Sequence, residues 1–190
     1  MVNAAIAYSN MNRNEDAERC LRRALEAEPA NAAANFNLGL LLGEQGRLED
    51  AEQALRLALK SDPRMAAAAY NLGVIVAKKN LDEALVWCRK AHELRPGDPK
   101  YAHTLAFYQR EKGDTQGAIQ LLRDLIRRQP GYLDAYLLLA DIYEAQRDPK
   151  AAAQAYREAL ARQEVPPDVK RQLEAKLLSL ERAIPAKASP

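Results

Sequence analysis

The side chains of this sequence that could carry metal or thiol chemistry are few and isolated. Cys88 and His92 are four positions apart, a spacing that could place a thiolate and an imidazole on one face of a helix. A structural zinc site needs four ligands, and no further Cys, Asp or His occurs at ligand spacing on that face. Neither Cys20 nor Cys88 belongs to a CxxC pair, so a disulfide framework is not indicated. We therefore predict no metal site and interpret both thiols as small apolar groups of helical faces.

A second candidate for chemistry is the glycine series Gly39, Gly43 and Gly46, which imitates a phosphate-binding loop. Such a loop follows a strand and opens a helix, whereas these glycines fall on an amphipathic helix and its closing turn. No paired carboxylates, Ser/His/Asp set or Cys/His dyad stands out from the charged solvent faces. The sequence therefore predicts no catalytic residues and no cofactor, and it favours a function in binding.

Composition restricts both the fold and the partners. Among 190 residues there are 36 Ala and 27 Leu, the two best apolar helix formers, which predicts an all-α chain. The net charge is +2 with both signs interspersed, which argues against nucleic-acid and anionic-membrane partners. The most continuous apolar stretch, residues 66–77, is shorter than the ~20 residues of a membrane span. Residues 1–8 lack a secretory signal pattern, so we expect a cytoplasmic chain unless it is a fragment without its N-terminal signal.

A period of 33 or 34 residues runs through the sequence. It appears in the prolines Pro29, Pro63, Pro96 and Pro130, which stop helices, and in the alanines Ala17, Ala51, Ala84, Ala118 and Ala152. An upstream helix carries the pairs Leu38-Gly39, Leu72-Gly73, Leu105-Ala106 and Leu139-Ala140. Between the two helices lie the turn residues Gly46, Asn80, Gly113 and Arg147-Asp148, of which Gly and Asn accept the left-handed conformation that ends a helix. The repeating unit is therefore helix, turn, helix.

This pattern resembles the tetratricopeptide repeat, with its Leu-Gly/Ala pair, its Ala early in the second helix and its closing Pro. The resemblance implies an all-α, right-handed α-solenoid of antiparallel helix-turn-helix repeats. Residues 1–183 are expected to form a single solenoid, with repeats at approximately 1–31, 32–65, 66–98, 99–132 and 133–166, a capping helix at 168–183 for which Asp168 is the N-terminal cap, and a flexible tail at 184–190. Pentatricopeptide repeats, which bind RNA, have a similar period but lack this spacing.

Stacking of such repeats predicts a concave groove lined by the first helix of each unit. The residue just before the Leu-Gly pair is Asn3, Asn37 and Asn71 in the first three repeats. An asparagine amide both donates and accepts, so three of them could form a ladder along a peptide backbone. In the alternative interpretation, these asparagines are solvated or bridge neighbouring helices.

Two further columns of residues flank the asparagines in the predicted groove. The column two positions before each pair contains Phe36, Tyr70 and His103. The column two positions after the leucine of each pair contains Leu40, Val74 and Phe107. In the sequence, His103 lies between Lys100 and Arg110. We expect these positions to form an apolar strip that anchors a ligand, with His103 able to meet a ligand carboxylate. Alternatively, some of these side chains pack between helices as ordinary core.

These observations favour a protein-protein interaction scaffold that binds a peptide segment of a partner. One alternative is a self-assembling, homo-oligomerising unit, and another is an interaction domain excised from a larger protein. The carboxylate clamp of the family's chaperone-binding members is not expected, because Val2 and Ile6 occupy positions where Lys and Asn would be required.

Overall fold

The computed structural model describes residues 1–162 and 165–183, and within these ranges the chain forms eleven α-helices and no strand. Contacts divide the chain into two compact units, the first spanning Met1–Gly97 and the second beginning at Asp98. In the first unit the helices are α1 Val2–Asn10, α2 Asn14–Ala27, α3 Ala32–Glu44, α4 Leu48–Ser61, α5 Ala66–Val76 and α6 Leu81–Leu94. In the second they are α7 Pro99–Lys112, α8 Thr115–Arg128, α9 Leu133–Ala145, α10 Pro149–Leu160 and α11 Pro167–Ala183.

The first unit consists of three helix hairpins, α1/α2, α3/α4 and α5/α6, joined by short turns. Acidic residues in the first turns of α2, α4 and α6 favour those helices by facing the positive end of the helix dipole. Leucines of α3, including Leu38, Leu41 and Leu42, are buried against Leu21 and the small residues of neighbouring helices. Because α3 contacts both α1 and α5, the first helices of the three hairpins lie side by side.

A small residue sets how closely the two helices of a hairpin approach. A Cβ added to Gly39 would lie 2.7 Å from Leu55 Cγ, and one added to Gly73 would lie 2.6 Å from Cys88 Sγ. Alanine occupies the same repeat position in the hairpins α1/α2, α7/α8 and α9/α10. The glycine of the Leu-Gly pair therefore lies where the second helix of the hairpin is too close to leave room for a Cβ.

The turns within the hairpins differ at one repeat from the sequence-based expectation. Gly46 and Gly113 adopt left-handed backbone, with φ of 76° and 92°, and Arg147 takes a φ of 58°. Asn80, which we expected in the same conformation, instead has φ −151° and accepts a hydrogen bond from the Glu83 backbone N–H as the N-cap of α6. The third repeat is one residue shorter in this turn, so the position that would be left-handed is missing.

Side chains also close the connections between hairpins. Asn35 is buried, with 2% of its surface exposed, and its Nδ2 donates to the carbonyl oxygens of Pro29 and Asn31 at 3.0 and 3.1 Å. Tyr136 stands at the same repeat position in the second unit, where its hydroxyl donates to the Pro130 carbonyl at 3.0 Å. Two chemically different residues therefore satisfy the carbonyl of the proline that ends the preceding helix.

The second unit contains two hairpins, α7/α8 and α9/α10, followed by α11, which packs on α10. Its core includes Tyr136, Leu139 and Tyr156, with Leu173 as the buried contribution of α11. Lys176 of α11 donates to the Tyr156 hydroxyl at 2.9 Å, and that hydroxyl donates to Glu144. Asp168 lies in the first turn of α11, which begins at Pro167, so it is not the residue before the helix that we expected. The predicted tail at 184–190 lies outside the described residues.

Candidate functional site

The first unit brings several of the predicted binding residues together on the sides of α1, α3 and α5. A depression of about 420 Å³ lies between α3 and α5, lined by Gly39, Leu40, Gly43, Glu44, Leu48, Asn71, Val74, Ile75 and Lys78. A smaller one of about 200 Å³ lies between α1 and α3, and its lining includes Ile6, Asn10 and Asn37. Leu40 and Glu44 line both, so α3 forms the shared wall. We call the residues of the two depressions the first-helix surface.

Asn37 and Asn71 have the same local geometry. In each, Nδ2 donates to the carbonyl oxygen four residues earlier, of Ala33 or Ala67, at 2.7 Å. This bond fixes the side-chain orientation and leaves the amide oxygen and a second N–H for other partners. Asn3 is exposed on α1 and lines neither depression, so the structure brings together two of the three predicted asparagines.

The apolar residues of this surface are only partly covered. Ile6 and Val74 remain 41% and 39% exposed, and Leu40 between them is half-buried. Phe36 and Tyr70, predicted for the same strip, are half-buried and line neither depression. The residues two positions after the leucine of each repeat therefore supply the apolar part of the surface. The residues two positions before that leucine do not.

Two opposite charges lie on the first-helix surface where α3 and α5 end. Glu44 ends α3, and Lys78 follows α5 at the same repeat position, 34 residues later. Neither forms an ion pair within the described part of the chain. The adjacent Lys79, in contrast, pairs with Glu49 at 2.7 Å, and this contact holds the pKa of the Glu49 carboxyl below its ordinary value. Sequence reasoning did not single out Glu44 or Lys78, although aligning the repeats would have shown the charge alternation.

The second unit holds the remaining predicted residues in a different depression. His103, Phe107 and Arg110 of α7 face Asp134, Leu137, Leu138 and Asp141 of α9 across about 310 Å³. The Arg110 guanidinium lies 4.8 Å from the centre of the Phe107 ring and also pairs with Glu111 at 2.7 Å. Lys100, in the first turn of α7, is exposed and does not line this depression.

His103 is the histidine of this second depression. Its ring meets the Tyr132 ring edge-on, with 5.9 Å between centroids. Burial lowers the pKa of His103 below its ordinary value, and the negative charge of Asp134 opposes that shift. A neutral imidazole can accept one hydrogen bond and donate one, so it suits a polar ligand group better than a salt bridge to a carboxylate.

The residues considered for metal or thiol chemistry lie in structural positions. Cys88 is fully buried, and desolvation raises the pKa of its thiol to about 12. Within residues 1–162 and 165–183, no group of three or more His, Cys, Asp or Glu side chains is placed to hold a metal ion.

No helix of the described chain has the length and apolarity needed to cross a membrane. Gly39 and Gly43 lie on α3 and Gly46 in its closing turn, as the sequence indicated.

Known structures share this fold at low sequence identity. The crystal structure of YrrB, a TPR protein with an unusual peptide-binding site, matches 95% of this chain and 90% of that chain, with a TM-score of 0.79 and 20% identity. MamA matches 90% of this chain and 96% of its own, with a TM-score of 0.78 and 22% identity. PilF of Pseudomonas aeruginosa matches 98% and 91%, with a TM-score of 0.73 and 22% identity. No curated protein sequence matches the chain.

The sequence also matches a family model over most of its length. The family model described as tetratricopeptide repeat matches residues 2–63, 39–99 and 104–168, which together span most of the chain. The prediction of an all-α tetratricopeptide repeat fold is confirmed by this match and by the similar structures. The chain therefore belongs to the tetratricopeptide repeat family.

Proposed function

We propose that the first-helix surface binds an extended peptide segment of a partner protein. Membership of the tetratricopeptide repeat family supports the broader role of a protein-protein interaction scaffold. YrrB has a similar fold and a peptide-binding site, which makes a peptide a reasonable class of ligand to test. The proposal for this chain depends on its own residues, which differ from those of YrrB at most positions.

The observation that carries the proposal is the matched geometry of Asn37 and Asn71. Both amides are oriented by the same bond to their own helix, and both line a depression beside partly exposed apolar residues. The remaining N–H and oxygen of each amide complement the C=O and N–H of a peptide backbone without selecting its side chains. Because their orientation is already fixed, little further entropy is lost when they bind.

Apolar burial and hydrogen bonding contribute unequally to such a complex. One neutral hydrogen bond contributes roughly 0.5 to 1.5 kcal/mol, whereas full burial of a ligand Leu or Phe contributes roughly 1.5 to 3 kcal/mol. The apolar contacts at Ile6, Leu40 and Val74 therefore provide most of the affinity. The two asparagines fix where the peptide lies along the surface.

The test is the double variant Asn37→Ala/Asn71→Ala. Peptides are first selected on the wild-type chain from a displayed library of random dodecapeptides, and one is labelled with fluorescein and titrated by anisotropy. We expect the double variant to bind this peptide at least about tenfold more weakly, because each lost amide removes at least one hydrogen bond to the peptide. Its thermal unfolding should change little, since each amide bonds only to its own helix and alanine favours a helix.

Asn35→Ala provides the matched control, two positions away on α3. It removes a buried amide that satisfies the Pro29 carbonyl, so we expect it to lower the free energy of unfolding by about 1 to 3 kcal/mol. The folded fraction of this variant should still bind the peptide. If Asn37→Ala/Asn71→Ala loses stability to the same extent and retains wild-type affinity, both residues are structural and the proposal is wrong.

A further inference from the structure

Gly43 is a helical glycine whose presence the packing of the helices does not explain. A Cβ at this position would meet Ile75 Cδ1 at 3.8 Å and Ala51 Cβ at 4.0 Å, both ordinary contacts. At Gly39, one turn earlier on α3, the same atom would lie 2.7 Å from Leu55 Cγ. Gly43 is not forced by backbone geometry either, because left-handed φ occurs three residues later at Gly46. Since glycine weakens a helix relative to alanine, another property of this position must favour it.

The missing side chain leaves open the space between α3 and α5. Gly39 and Gly43 line one side of this depression, and the apolar side chains of Leu40, Val74 and Ile75 contribute its walls. Its volume of about 420 Å³ falls within the roughly 300 to 1,000 Å³ typical of ligand pockets. A large side chain at position 43 would occupy this space.

The charges at the rim of the depression distinguish its two sides. Glu44 lies at the C-terminal end of α3, where the helix dipole adds further negative potential and no basic residue lies in the last turn. Lys78, just after α5, presents a positive charge on the other side. Binding of a ligand that crosses from α3 to α5 is therefore favoured if the ligand places a basic group near Glu44 and an acidic group near Lys78.

We propose that the depression between α3 and α5 is the anchor pocket for a peptide with a large aliphatic or aromatic residue between a basic and an acidic residue. Packed helices lie about 8 to 10 Å apart, and an extended chain advances about 3.3 Å per residue. The basic and acidic residues should therefore be about three positions apart, with the apolar anchor between them. This inference rests on the proposed peptide-binding function and adds the class of sequence that the site selects.

The test uses the full chain and the displayed dodecapeptide library described above. We expect the sequences selected on the wild type to share a Leu, Ile, Met or Phe flanked by Lys or Arg on one side and Asp or Glu on the other. One such peptide is then titrated against Gly43→Ala, Gly43→Leu, Glu44→Lys and the control Glu26→Lys. Glu26 is exposed on α2 and allows the same charge change away from the site.

Filling the pocket should weaken binding in proportion to the added volume. We expect Gly43→Leu to raise the Kd at least about tenfold, because the ligand side chain can no longer be buried. Gly43→Ala should raise the Kd less, while its thermal transition is no lower than that of the wild type. Glu44→Lys should weaken binding of the selected peptide, and replacing the peptide's basic residue by Glu should restore it. Glu26→Lys should leave the Kd unchanged.

The outcomes separate this inference from the function on which it rests. If the wild-type chain enriches no peptide sequence, both the peptide-binding function and the anchor pocket are excluded. If peptides are enriched and bind Asn37→Ala/Asn71→Ala weakly but remain insensitive to Gly43→Leu and Glu44→Lys, only the anchor pocket is overturned. A melting curve for each variant shows that a loss of binding does not come from unfolding.

Discussion

Two asparagines on α3 show how position determines the role of a residue. Asn35 is buried, and its amide donates to two backbone carbonyls, of Pro29 and Asn31, that both precede its own helix. Asn37 lies two positions further, is partly exposed, and bonds only to the carbonyl one turn earlier. In a helix two residues differ by about 200° in direction, so neighbouring asparagines face nearly opposite sides. The same side chain therefore stabilises the fold at one position and is available to a ligand at the other.

His103 provides a prediction at the scale of a single residue. Its pKa is lowered by burial and raised by the nearby Asp134 carboxylate, with burial the larger effect. Replacing Asp134→Asn removes the opposing charge, so we expect the pKa of His103 to fall further. An NMR pH titration of the imidazole protons measures it, with His92→Gln to assign the two histidines.

The direction of this shift also predicts a dependence of stability on pH. The folded chain binds the His103 proton less readily than the unfolded chain does. The contribution of this group to stability is therefore present above the ordinary histidine pKa and is lost as the pH falls from that value through the lower pKa of the folded chain. An Asp134→Asn variant whose His103 titrates at a higher pH than in the wild type would contradict the assignment of charges in this depression.

At the scale of helices, the fold depends on how closely the two helices of a hairpin approach. Gly39 and Gly73 each lie where a Cβ would collide with the second helix, and both occur in the first unit. The second unit has Ala106 and Ala140 at this repeat position, both fully buried. The same repeat position is therefore held by glycine where the second helix leaves no room for a Cβ, and by a buried alanine in the second unit.

Gly73→Ala tests this close contact. The added Cβ would lie 2.6 Å from Cys88 Sγ and 3.2 Å from the Ala84 carbonyl oxygen, so we expect a loss of about 1 to 3 kcal/mol in the free energy of unfolding. The double variant Gly73→Ala/Cys88→Ala should recover part of this loss, because the sulfur is removed while the backbone contact remains. Urea unfolding followed by circular dichroism measures the wild type, Gly73→Ala, Cys88→Ala and the double variant. Strictly additive losses would show that Cys88 does not limit the approach of α5 and α6.

At the scale of the whole molecule, two compact units each have a core of their own. The first carries 13 basic and 13 acidic residues up to position 95, and the remainder carries 15 and 13, so neither part has a strong charge of one sign. Such a balance gives little long-range attraction to polyanions and leaves recognition to local surfaces. The candidate binding residues that line depressions form two sets, one in each unit.

Self-assembly, the alternative to partner binding, is tested on the intact chain. The partly exposed apolar residues of the first-helix surface are separated by Asn37, Asn71 and Glu44, and a stable dimer usually buries about 800 Å² on each partner. We therefore expect light scattering to report the mass of one chain over a wide concentration range. A mass that rises with concentration, and returns to one chain in Gly43→Leu, would instead assign the surface to self-association.

Several features could be determined from the sequence because they depend on local interactions. Helix content follows from the abundance of Ala and Leu, and the helix-turn-helix unit follows from prolines and small residues spaced by 33 or 34 positions. In a repeat protein, each unit packs mainly on its sequence neighbours, so a regular period largely defines the fold. The N-cap at Asp148 was predictable for the same reason, since the hydrogen bond to the Ala151 N–H spans three residues.

The composition of the binding surface was decided only by the tertiary structure. Periodicity placed Phe36, Leu40 and Asn37 in one groove, but Leu40 and Asn37 line depressions and Phe36 does not. Sequence alone could not separate Gly39, which a close helix requires, from Gly43, where a Cβ would have room, because the difference is a distance to side chains of other helices. A period fixes which way a residue faces on its own helix, whereas its exposure and contacts depend on the size of the side chains that meet it from the neighbouring helices.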